Sequence, residues 1–296
     1  MASVACYHGP RMVIDAHTHI FPPNLIARRA ELALREPGFA AIYGDPSATM
    51  ATAEDLISSM DAGAIDQSWA MGFAWRDPDL CEGHAAYLAE SACRFPGRIV
   101  PFVPINPAHA ERAIRQVRAN PRVAAGVGEL RPADQGYSLD DPAAREVFDG
   151  VREAGLIAVF HVSEPVGHHY AGKAGLTIDE FARFATWFQP GRTVAAHWGG
   201  GLPWYALMPE VREALRQTWF DTAASPLLYD PRVYGTVGAL VGFDRILSAS
   251  DFPLLSQAKQ VARAREALGP REATLALTEN ATALLTGSGY PPAGSP

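Results

Sequence analysis

A chain of 296 residues with 48% apolar content can bury one large core, and α/β barrels commonly fill this length as a single domain. A formal charge of −7 leaves no cationic surplus, which argues against affinity built on phosphate neutralisation along a nucleic acid and for a small-molecule substrate. Cys6, Cys81 and Cys93 are odd in number and form no CxxC pair, no apolar run reaches the roughly 20 residues of a membrane span, and MASVACYHGPRM lacks a secretion signal, so a disulfide framework, a structural zinc site and a membrane partner are not expected. The expectation is a soluble, unprocessed protein of the reducing cytoplasm.

In chain order, short β-branched or apolar runs alternate with helical patterns. Strands are predicted at 13–16, 65–72, 99–103, 123–128, 156–160, 193–196, 218–220 and 245–248. Helices are predicted at 53–60, 80–94, 108–119, 143–154, 178–188, 204–217 and 257–268. Asp141 before Pro142 reads as an N-cap, and Thr177 with Glu180 as a capping box. Eight such runs predict a closed (β/α)8 TIM barrel, one domain over 1–296 with the barrel itself at about 12–286. Two stretches exceed a tight βα loop: 22–47, rich in Pro and Gly, is expected to fold over the barrel mouth, and 163–177, rich in Gly and His, follows the fifth strand. The Pro/Gly-rich tail 287–296 is expected to fray.

The first run, MVIDAHTHI, carries His17 and His19, and residues i and i+2 of a strand share a face. Ligand-type residues recur at other strand ends: Glu129 in AGVGE, His161 in IAVFH, His197 in TVAAH and Asp251 in ILSASD. His161 or His197 alone would read as a satisfied core histidine. In a barrel, however, all six face one mouth, where the catalytic residues of this fold gather. Imidazoles with carboxylates suit zinc, manganese or iron, with a coordination place left for water or substrate.

The set resembles the amidohydrolase superfamily, and within it the amidohydrolase 2 group, which includes aminocarboxymuconate-semialdehyde decarboxylase and lactone hydrolases. The resemblance covers about 13–285, with AHWGGG at 196–201, SASDFP at 248–253 and ENATALL at 279–285 as its marks. It implies that His17, His19, His161 and Asp251 bind a divalent metal, zinc before manganese or iron, as one ion or two. His197 would be an acid/base group or a ligand to a second ion, and Asp251 both ligand and proton acceptor. A divalent metal lowers the pKa of bound water toward about 7, and a nearby imidazole or carboxylate moves the proton. Two-metal relatives often bridge their ions with a carboxylated lysine on the fourth strand; the two lysines here, Lys173 and Lys259, lie elsewhere. Glu129 stands there instead, in a VGEL run that resembles TatD-type nucleases. Two readings of it stay open: a bridge between two ions, or a carboxylate that orients a ligand histidine.

For the substrate, Arg131, His168, His169, Tyr170 and Lys173 lie on segments expected to overhang the metal, with Glu164 nearby. Arg131 or Lys173 would hold a substrate carboxylate by charge-assisted hydrogen bonds. Trp198, with Trp75, Trp204 and Tyr205, is a candidate pocket wall; His8, His84 and His109 are assigned no chemistry. The expected activity is hydrolysis of a small ester, lactone or amide by metal-activated water. The alternative is metal-dependent, non-oxidative decarboxylation of an unsaturated or aromatic acid. Two bound ions would weigh toward hydrolysis and one toward decarboxylation. The resemblance also allows a homo-oligomer.

Overall fold

The computed structural model describes residues 12–119, 123–173 and 175–290. Eight strands, β1 (Ile14–His19), β2 (Gln67–Met71), β3 (Ile99–Val103), β4 (Gly126–Leu130), β5 (Ile157–Phe160), β6 (Thr193–Ala195), β7 (Thr218–Asp221) and β8 (Ile246–Leu247), pair in chain order and all parallel. Parallel neighbours need a crossover between them, and helices supply it, as the alternating runs predict. The seam between β8 and β1 is closed by backbone bonds from the turn after β8. Ala16 N donates to Ser248 O at 2.9 Å, Asp251 N to His17 O at 2.9 Å, and His19 N to Phe252 O at 2.7 Å. The result is the expected (β/α)8 barrel.

Strands covered on both faces should be apolar throughout, and the two faces here feed different clusters. Ile14, Trp69, Met71, Val100, Phe102, Ile157, Val159 and Val194 form one buried cluster with Ala281, Leu284 and Leu285 of the helix Asn280–Ser288. Trp69 stacks on Phe102 at 4.9 Å between centroids. Alternate residues such as Val127, Ala158, Phe160 and Ala195 pack instead with the helices Pro142–Glu153 and Ile178–Phe188. The latter helix starts with the capping box of Thr177 and Glu180.

The excursion after β1 differs from an expected loop. It forms the short helices Pro23–Ala27, Arg29–Arg35 and Pro37–Tyr43, which bury Phe21, Leu25, Leu32, Phe39 and Tyr43 against Phe73 and Trp75. The helix expected at 204–217 is also corrected. His197–Leu207 is an irregular segment with Trp198 to Gly201 in left-handed backbone, and regular helix is confined to Pro209–Ala214, because Pro209 sets its start. The tail expected to fray from 287 is helical to Ser288, and Tyr290 packs on the buried cluster; 291–296, like Cys6 and His8, lie outside the described residues. Cys81 is buried and Cys93 exposed, both as free thiols. Among the described residues no helix is long and apolar enough to cross a membrane.

Candidate metal centre

β1 brings its two imidazoles together: His17 Nε2 and His19 Nε2 face each other at 3.1 Å, both buried. The pairing register of β1 with β2 shifts between Asp15 and Thr18, a bulge that re-aims the strand at this point. Asp251 Oδ1 lies 3.5 Å from His19 Nε2 and 3.9 Å from His17 Nε2. Glu129 Oε2 lies 3.7 and 3.9 Å from the same two atoms. Bonds of about 2.1 Å at right to tetrahedral angles put neighbouring ligand atoms roughly 3.0–3.4 Å apart, so the spacing suits one cation with slight closure. His161 follows β5 directly. Its Nδ1 bonds Glu129 Oε1 at 2.9 Å, and its Nε2 is buried with no hydrogen-bond partner, the condition of a ligand nitrogen awaiting a metal. His197, two residues after β6, packs its ring 4.8 Å from that of His161 and 5.4 Å from that of His17.

Among the described residues two sets converge closely enough to hold an ion: His17, His19 and Asp251, and His17, Glu129 and His197. Both draw on His17. Its Nδ1 is taken by Asp221 Oδ2 at 2.8 Å, which leaves Nε2 as its single ligand atom. Glu129 Oε1 is similarly occupied, accepting from His161 Nδ1 at 2.9 Å and meeting His197 Nε2 at 3.2 Å.

Asp221 was not singled out from sequence. It ends β7 in the run TWFD, where a lone acidic residue at a strand end offers only a weak signal. Buried completely, it fixes His17 through Oδ2 and accepts from His197 N at 2.9 Å and Ala223 N at 3.1 Å through Oδ1. Carboxylates that orient ligand histidines typically matter 10- to 100-fold in metal affinity. Asp221→Asn is therefore expected to weaken divalent-metal binding by about 10- to 100-fold in a chelator competition. Unaltered affinity would reduce Asp221 to a chain-fixing role.

The electrostatics also call for a cation. Burial disfavours a charged His17, yet Asp221, Glu129 and Asp251 outweigh it and hold the imidazolium up to about 10. Burial likewise opposes charge on His197, which Glu129, Asp251 and Asp221 hold up to about 9. His161 is pushed down to about 4 by burial and by Arg131, and His19 is lowered by burial and by His17. Two buried carboxylates, Asp221 and Glu129, and the half-buried Asp251 thus draw protons onto two histidines, charge that a divalent cation would supply from one point.

Strained backbone positions two of these groups. Asp251 has φ 64°, and His197 opens a left-handed run with φ 56°, continued by Trp198 at 58°, Gly199 at 58°, Gly200 at 57° and Gly201 at 87°. The chain after β6 thereby reverses at once and leaves His197 beside the strand ends. Trp198 is corrected from a pocket wall to a core residue: fully buried, it packs on Tyr234 at 5.0 Å and donates from Nε1 to Ser225 Oγ at 2.6 Å.

Above the cluster lies a cavity of about 410 Å³. Its apolar wall is Ile42, Phe73, Leu227, Leu228 and Leu254; Tyr43, Arg131, His168 and Tyr170 add polar groups, and His19, Glu129, His161, His197 and Asp251 form its polar floor. Arg131 reaches it already engaged, donating from Nε to Asp134 at 2.5 Å and from Nη2 to Gly172 O at 2.8 Å, so it ties the 163–177 segment to the end of β4. Tyr170 donates to Glu164 at 2.8 Å. Lys173 turns away to bond Val166 O and His168 O, and neither it nor His169 lines the cavity. Trp75, Trp204 and Tyr205 are absent from the wall too; Trp75 is buried and donates to His84 Nδ1 at 3.0 Å. Tyr43, Phe73, Leu227, Leu228 and Leu254 had no distinguishing mark in sequence, because apolar residues on long excursions look like any others.

The sequence matches the family Amidohydro_2, described as amidohydrolase, over residues 14–286. No curated protein matches it. Among solved structures, a 5-carboxyvanillate decarboxylase from Novosphingobium aromaticivorans, complexed with manganese and 4-hydroxy-3-methoxy-5-nitrobenzoic acid, has a TM-score of 0.78 at 16% identity, covering 94% of this chain and 96% of that one. A 2,6-dihydroxybenzoate decarboxylase from Rhizobium gives 0.70 at 14% identity, covering 93% and 99%. The IDCase of Metarhizium anisopliae gives 0.72 at 20% identity, covering 93% and 97%. At such identities the likeness is one of fold.

Proposed function

Since the chain belongs to the amidohydrolase family, we propose that it is a metal-dependent, non-oxidative decarboxylase of a small unsaturated or aromatic carboxylic acid. The expected hydrolysis of an ester, lactone or amide is corrected: the solved proteins of like fold include decarboxylases of aromatic acids. The observation that carries the reading is the shared His17. Its one available nitrogen is common to both candidate ligand sets, which supports a site for one ion.

In this reading His17, His19, His161 and Asp251 hold the cation, and Glu129 orients His161 and His197 rather than bridging two ions. Nitrogen and oxygen donors suit manganese as well as zinc. The manganese in the Novosphingobium enzyme supports manganese over the zinc first expected. A divalent ion bound here supplies Lewis-acid charge for a carboxylate-bearing substrate. Phe73, Leu227, Leu228 and Leu254 give a flat ring an apolar wall to pack on. The carbon–carboxyl bond breaks, CO2 leaves, and the carbon keeps the electron pair and takes a proton. His197 and Asp251, both on the cavity floor, are the groups placed to deliver it.

Purified protein reconstituted with manganese should release CO2 from a member of a panel of hydroxybenzoates and unsaturated acids. Chelation should stop release, and added manganese should restore it. Ring opening of a lactone, with no CO2 from any acid, would overturn the proposal.

A further inference from the structure

Asp15 stands two residues before His17, yet its carboxylate takes no part in the ligand cluster. It is buried, and its hydrogen-bond donors are neutral. Ser250 N at 2.9 Å and His17 N at 3.3 Å donate to Oδ1; Ser250 Oγ at 2.6 Å and Gln257 Nε2 at 2.8 Å donate to Oδ2. A carboxylate desolvated without a cationic partner is costly, and it persists only where its donors hold it well.

Two of those donors belong to the residue just before Asp251. Ser250 Oγ in turn accepts from Phe252 N, the residue just after, at 2.9 Å. Asp251 is thus flanked on both sides by groups fixed to Asp15, while its own backbone holds the left-handed φ of 64°. β8 itself spans only Ile246–Leu247, and beyond it the turn is held by backbone bonds, Asp251 N to His17 O at 2.9 Å, His19 N to Phe252 O at 2.7 Å and Leu254 N to Asp251 O at 2.8 Å, to which the Asp15 contacts add a side-chain anchor. Gln257 extends the network to Ser68 Oγ on β2 at 3.0 Å, anchoring the carboxylate to a second strand.

We propose that Asp15 is a positioning residue: by clamping the 250–252 turn to β1, it sets the distance between Asp251 and the two histidines of that strand, and so the affinity of the site for its cation. The inference rests on the metal-site reading above and extends it to a residue that touches neither cation nor substrate.

Asp15→Asn keeps the shape but replaces one accepting oxygen with a donor, so it cannot receive all four bonds. Manganese affinity of the full chain, read by chelator competition with circular dichroism and melting alongside, is expected to fall about 10- to 100-fold in this variant. Ser250→Ala removes only a hydroxyl and serves should Asp15→Asn fail to fold; a smaller loss of affinity is expected, and the double variant should bind no worse than Asp15→Asn alone. Lowered melting temperatures with wild-type manganese affinity in whichever of the two variants folds would overturn the inference and leave a purely structural role. Asp251→Ala separates the two levels. Retention of manganese by that variant would overturn the metal-site reading itself, whereas its loss beside wild-type binding in the Asp15 and Ser250 variants would overturn only the role of Asp15.

Discussion

Asp251→Ala is expected to lose the cation and to lower kcat/KM for the proposed decarboxylation by roughly 10³-fold, since the ion's charge stabilisation is worth several kcal/mol at about 1.4 kcal/mol per decade. Asp251 Oδ1 stands 3.5 Å from His19 Nε2 and 3.9 Å from His17 Nε2, so its removal takes from the proposed ligand set its one carboxylate. The same change removes one of the two groups placed to carry the proton. The fold should lose some stability but survive. The carboxylate lies at the cavity floor, and an alanine at φ 64° costs about 1–2 kcal/mol more than a residue at ease there. Elemental analysis beside CO2 release checks the outcome. Full metal content with unchanged turnover would remove Asp251 from the site.

Gly200→Val should damage the fold severely. A Cβ at this position would lie 2.7 Å from the backbone carbon and oxygen of Ser163 and 3.2 Å from Glu164 N, atoms that move only if the segment after His161 moves. The left-handed φ of 57° adds about 1–2 kcal/mol for any L side chain, and the backbone clash adds a comparable or larger amount. A total loss of about 3 kcal/mol or more is a large share of the 5–15 kcal/mol typical of folded domains. Gly201→Ala provides the comparison. At φ 87° it has the same conformational strain, but its Cβ would meet only Tyr229 Oη at an ordinary 3.6 Å. Thermal melting should therefore place Gly201→Ala between wild type and Gly200→Val. Equal melting temperatures for the two variants would refute the clash argument.

The two results probe different parts of one device. His197 sits where it does because the chain after β6 turns left-handed through Gly199, Gly200 and Gly201, and that turn presses on the segment carrying His161. Asp251 depends on a second left-handed residue after β8, held to β1. Two of the strand-end groups are thus placed by backbone that ordinary residues avoid, a pattern common where geometry must serve a site.

Much of this was legible from residue order. The alternation of apolar runs with helical patterns placed the strands to within a few residues, because pleat and helix periods are local properties of the chain. Positions 17, 19, 129, 161, 197 and 251 were legible for the same reason: in a parallel barrel, the C-terminal end of any strand lies at the same mouth, so order along the chain stands in for proximity in space. The reversal of AHWGGG was less legible; its glycines signalled a turn, but not a left-handed one that buries Trp198.

The sequence by itself determined the barrel and the gathering of six ligand-type side chains at its mouth, since both follow from local periodicity and strand direction. The tertiary structure decided what no local pattern encodes. It placed Asp221 against His17 and so left that histidine one ligand nitrogen. It turned Lys173 away and engaged Arg131 with Asp134 and Gly172. It brought Tyr43 and Leu254, 211 positions apart in the numbering, into one cavity wall. Each of these outcomes depends on contacts between residues distant in the chain, where packing and competition for hydrogen-bond partners choose among conformations that residue order leaves equivalent.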